Sequence, residues 1–126
     1  MNPKQFLKIG GAVLALAGVL GFVGVIGPTP EQSAFGDSWW FDNSENWAHL
    51  VLGAVALLAS AMLSGGMQRF LVKLLGVVGV LVGLYSLVIG PNFLGANLQN
   101  PLDTILHLAI GAWALWASRS STKMTA

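Results

Sequence analysis

The chain has 126 residues, 55% of them hydrophobic and 9% charged, with six basic and five acidic side chains for a formal net charge of +1. A soluble domain carries charge on about a quarter of its residues, so this composition excludes a water-soluble globular enzyme and a disordered chain, and the near-neutral balance excludes a nucleic-acid binder. With no cysteine there is no disulfide, thiolate metal site, iron–sulfur cluster or thiol nucleophile, and a mean hydropathy of +0.72 points to a membrane protein.

Charge-free windows locate the spans: 22 residues over 9–30, 23 over 46–68, 29 over 74–102 and 15 over 104–118. About 20 apolar residues cross a hydrocarbon core, which predicts four helices near 6–27, 45–65, 69–90 and 101–120. The fourth reaches across if it begins at Pro101 and Arg119 snorkels to the far interface. The expected fold class is all-α: a polytopic four-transmembrane-helix bundle forming a single domain over 1–126.

The first helix follows Lys4 and Lys8 and ends at Ile26-Gly27-Pro28. Its apolar stretch is long and no small-x-small cleavage site follows it, so it reads as a retained span rather than a signal peptide. The loop after it holds Glu31, Asp37 and Asp42, then Trp39, Trp40 and Phe41. With Trp47, these aromatics suit a membrane interface, or a contact with a partner or pigment. At the second helix Asp42 is a candidate N-cap, with Glu45 three residues on as in a capping box. His49, Gly53, Ala56 and Ser60 then share a face with Glu45.

Helix three carries a small-residue stripe of Gly76, Gly79, Gly83, Ser86 and Gly90, and helix one offers Gly10, Ala17, Gly21 and Gly24. Such stripes let helices approach closely in lipid, so they are expected to face the interior while bulky side chains face outward. Tyr85 and Ser86 call for internal hydrogen bonds. After Ile89-Gly90-Pro91 comes a polar loop with Asn92, Asn97, Gln99 and Asn100, turn and cap residues by type. Helix four starts with Asn100 as N-cap and Pro101 at its first position, followed by Asp103, His107, Gly111, Ala114 and Ser118 on one face. Trp113 and Trp116 suit the opposite interface.

All six cations precede helix one, separate helices two and three, or follow helix four, while all five acids fall in the other two loops and helix starts. By the positive-inside rule both termini are cytoplasmic, in a bacterial inner membrane or an equivalent energy-transducing membrane. Helices two and four also align at an offset of 58 residues. From His49–Ser60 against His107–Ser118, 8 of 12 positions are identical. Together with the repeated Ile-Gly-Pro endings, this predicts two parallel hairpin repeats, 1–66 and 67–126, about an approximate two-fold axis along the membrane normal.

His49 and His107 are the candidate functional residues, because an ionisable side chain inside a span is costly. Each shares a face with an acid one turn outward, Glu45 or Asp103, whose carboxylate would orient the ring from behind as in metal-bound histidine. Gly53 and Gly111, one turn inward, would give clearance to a macrocycle. The pair could then be axial ligands of haem b or of a chlorophyll-type pigment. A plain His–carboxylate pair pinning two hairpins is the structural alternative, and a divalent metal or proton site a third; no third distinctive metal ligand accompanies them, so no metal site is assigned. No nucleophile–base motif, phosphate loop or H-E-x-x-H is present, and no charged or broken mid-membrane helix suggests a transport path.

At the repeated His-Leu-x-x-Gly helix starts, over residues 6–120, the chain resembles a family of small bacterial four-helix integral membrane proteins of unknown function. The resemblance implies four spans and no enzymatic activity. Members show an extra His near the positions of Asn46 and Thr104, which this chain lacks. The expected role is a non-enzymatic accessory or scaffold subunit docking on a larger membrane complex, with lipid and other membrane subunits or further copies of itself as partners. Pigment binding through the two histidines is the alternative.

Overall fold

The protein, a computed structural model, is described at residues 1–90, 92–93, 96–97 and 102–119. It is built from four helices: α1 (Pro3–Phe22), α2 (Asn43–Met62), α3 (Gly65–Val88) and α4 (Leu102–Ser118). The first three are long and apolar enough to cross a membrane, and α4 is shorter at 17 residues. Within the polar loop, Asn92–Phe93 pairs antiparallel with Ala96–Asn97, a ladder of two residues a side where only turns were expected.

The helix ends follow from local hydrogen bonding. Asp42 accepts from the Glu45 amide at 2.8 Å and Glu45 Oε1 accepts from the Asp42 amide at 3.2 Å, the expected capping box. Asn2 and Gln5 form a second one at 2.9 and 3.1 Å, which starts α1 at Pro3 rather than near residue 6. Ser64 caps α3 and brings its start forward to Gly65. α1 stops at Phe22, five residues short of the expected end. Val25 and Ile26 both donate to the Leu20 carbonyl around Gly24, whose φ of 89° only glycine adopts readily. Asn100 and Pro101, expected to start α4, lie outside the described residues.

Two antiparallel hairpins, α1/α2 and α3/α4, pack through their glycines. A Cβ on Gly53 would lie 2.5 Å from the Ala15 nitrogen and 2.7 Å from the Gly11 carbonyl oxygen. In the second hairpin a Cβ on Gly111 would lie 2.7 Å from the Val80 nitrogen and 2.9 Å from the Gly76 oxygen. Backbone meets backbone there, and no side chain fits. The buried face of α1 is Leu7, Gly11, Gly18 and Gly21; of the expected stripe of Gly10, Ala17, Gly21 and Gly24, Gly21 alone is buried, and the rest of the face lies one step around. On α3 the expected Gly76, Gly83 and Ser86 are buried, while Gly90 lies past the helix end in open space.

The hairpins meet mainly along α1 and α3, with α4 also touching α1. Near the basic ends of the helices, Phe6, Leu7, Ala56, Ala59, Val72, Ala114 and Ala117 form a buried apolar cluster. Trp113 joins it, edge-on to Phe6 at 4.6 Å, whereas Trp116 remains exposed. Gln68 Nε2 donates to the carbonyls of Ala59 and Ser60 at 3.2 and 3.1 Å; Ala59 O also accepts from the Leu63 amide, so the Ser60 oxygen is the one that the end of α2 leaves to Gln68. The large apolar side chains, among them Val13, Leu16, Leu58, Leu81, Val88 and Ile105, point away from the bundle.

Candidate acid–histidine site

The acidic ends of α2 and α4 bring together Glu45, Asp103, His49 and His107. Glu45 and Asp103 are both buried, and their side chains are near enough to share a hydrogen bond across the two hairpins. The histidines follow one turn further along each helix, within electrostatic reach of each other. The sequence-predicted residues thus converge at one end of the bundle.

Their pairing differs from the expected one. His107 Nδ1 lies 2.7 Å from the main-chain oxygen of Asp103, not from its carboxylate. A carbonyl only accepts, so Nδ1 is the donor in this contact. The Asp103 carboxylate instead accepts from the indole nitrogen of Trp39 at 3.0 Å. Glu45 is engaged in the capping box of its own helix. Among the described residues His49 Nδ1 has no hydrogen-bond partner, and its ring meets Phe41 edge-on at 4.8 Å. Neither carboxylate therefore stands behind an imidazole in the ligand-orienting role assigned to it. A helix brings the i−4 carbonyl as close to a histidine ring as the i−4 side chain, and spacing alone does not tell the two apart.

Gly53 and Gly111 are also used differently. Their open faces are filled by the backbones of α1 and α3, so they serve hairpin packing and give no clearance beside the histidines. Among the described residues no group of three or more His, Cys, Asp or Glu is arranged to hold a metal ion.

For the loop aromatics the sequence offers interfacial anchoring or contact with a partner or pigment, but not their link to the residues of this site. Phe35, Trp39, Phe41 and His49 form a continuous column with ring centroids 5.2, 5.3 and 4.8 Å apart. Phe35 is exposed at its start and Phe41 is buried against His49. Ser33 Oγ donates to the Trp39 carbonyl at 2.6 Å and Phe41 donates its amide to Ile26 at 2.7 Å, which fixes the loop across the end of α1. Compared with protein-family models, curated proteins and solved structures, the chain matches none.

Proposed function

We propose that this chain is a non-enzymatic integral membrane protein that docks as an accessory or scaffold subunit on a larger membrane complex. Its four helices span the membrane as two parallel hairpin repeats, with both termini on the cytoplasmic side. The observation that carries this reading is where the bulk sits. Glycine and alanine occupy the helix contacts, while leucine, valine, isoleucine and tryptophan side chains are directed outward. Such a molecule places its contact surface in lipid and against neighbouring helices rather than around an internal site.

The matched contacts support the repeat. Gly11 against Gly53 and Leu57 corresponds to Gly76 against Gly111 and Leu115, and Gly18 against Leu50 corresponds to Gly83 against Leu108. Residues of α1 and α3 correspond at an offset of 65, those of α2 and α4 at the offset of 58 read from sequence. Purification in mild detergent followed by native gels tests the role. A companion membrane subunit migrating with the chain is expected; a monodisperse species alone at every detergent strength overturns it.

A second reading has one specific observation in its favour. A histidine whose Nδ1–H is held by a carbonyl presents Nε2 for ligation, as His107 does. Haem b or a chlorophyll-type pigment held by His49 and His107 would lie outside the glycine faces, since those are filled. A Soret or red absorption band lost in both His49→Ala and His107→Ala supports this reading, and a colourless, fully folded preparation ends it.

A further inference from the structure

We propose that the basic pairs Lys4–Lys8 and Arg69–Lys73 are matching docking sites for the headgroups of anionic phospholipids, one on each hairpin. At the offset of 65 that relates Gly11 to Gly76, Lys4 falls on Arg69 and Lys8 on Lys73. Leu7 and Val72, related by the same offset, are both fully buried, so the two pairs hold the same place relative to the packed core. Lys8, Arg69 and Lys73 are exposed and Lys4 is half-buried. Residues four apart share one face of a helix, so each pair offers its two charges to one anion.

Both pairs sit where positive charge is least favoured. α1 and α3 each begin at this end of the bundle, and neither contains an acidic residue, in its first turn or beyond. The positive end of the helix dipole thus adds to these side chains instead of offsetting them, and an anion relieves both. The other two helices make the opposite choice and open on Glu45 and Asp103. Further along the same faces come exposed apolar side chains, Leu16 and Val19 after Lys8, Leu81 and Leu84 after Lys73. A basic pair set over an apolar column complements a lipid, charge to headgroup and column to acyl chain; a free anion would leave the column unused. The inference rests on the membrane-spanning reading above, which sets these residues at the headgroup level.

The chain purified in neutral detergent is titrated with phosphatidylglycerol, or with phosphatidylcholine of the same acyl chains, and bound lipids are counted by native mass spectrometry. Two phosphatidylglycerol molecules per chain should bind roughly tenfold more tightly than phosphatidylcholine, as two basic side chains at a headgroup imply. Lys4→Gln with Lys8→Gln should remove one of them, and Arg69→Gln with Lys73→Gln the other, while Lys4→Arg with Lys8→Arg should retain both. Arg119→Gln with Lys123→Gln lowers the net charge by the same amount and should also leave both in place. Equal binding of the two lipids overturns the proposal, as does a preference that survives all four glutamine changes. So does an equal loss in Arg119→Gln with Lys123→Gln, because bulk charge would then suffice. Resistance of the chain to alkaline extraction from vesicles of phosphatidylcholine alone tests the spanning reading separately, since no anionic headgroup is present.

Discussion

Gly53 and Gly111 show how one atom decides helix packing in this chain. Each faces main-chain atoms that move only with a whole helix. Gly53→Ala and Gly111→Ala should therefore each destabilise the bundle by about 1–3 kcal/mol, despite the better helix propensity of alanine. Gly66→Ala, near the start of α3 with open space around it, should be neutral or stabilising by up to about 1 kcal/mol. Unfolding titrations in mixed detergent, followed by circular dichroism, measure all three, and equal effects at Gly53 and Gly66 would contradict the packing account. The sequence marked Gly53 and Gly111 as special through their register with His49 and His107, but not their use. Glycine beside a histidine suits a ring and a helix crossing equally well, and only the position of α1 and α3 separates the two. The Trp39–Asp103 bond was beyond reach for a related reason: no local pattern pairs residues 64 apart.

The element edges were legible where a cap uses a familiar acid. Asp42 followed by Glu45 was read correctly as a capping box. Asn2 with Gln5 does the same through amides and passed unnoticed behind the charge of Lys4 and Lys8. Asp42→Ala should lower stability by about 1 kcal/mol while Asp42→Asn loses little, since asparagine caps as well; thermal melts of the two variants decide it. The hairpins offer a sharper test of their likeness. In the first, Asn46 is buried above Gly21, with its Oδ1 lacking a hydrogen-bond partner among the described residues. At the matching place in the second, Ser86 and Thr104 hydroxyls bond at 2.6 Å. Gly21→Ser alone drives a Cβ into the Asn46 amide, and Asn46→Thr alone leaves a gap. The combined variant should recreate the hydroxyl pair, with a favourable coupling of about 1–3 kcal/mol in a double-mutant cycle. Additive losses would mean that the two hairpins do not share one contact plan.

At the scale of the molecule, composition alone indicated helices of membrane length, and three of the four have the length and apolarity required. The antiparallel order follows from the short turn between α2 and α3 and from loops that alternate in charge. What composition could not supply is which helices touch, because leucine, valine and glycine recur on every one; α1 and α3 form the seam between hairpins through faces that only the packed structure identifies. Orientation is the proposal on which the rest depends, since it assigns the aromatic loop between α1 and α2 and the acid–histidine site to the outer surface. The absence of cysteine makes it directly measurable. Ser38 in the loop between α1 and α2 and Gly66 at the basic turn are each exposed in the fold, and Ser38→Cys and Gly66→Cys can be challenged with a membrane-impermeant maleimide in intact cells. With the acidic ends outside, Ser38→Cys should label in intact cells and Gly66→Cys only after lysis. The reverse pattern, or labelling of both before lysis, would contradict it.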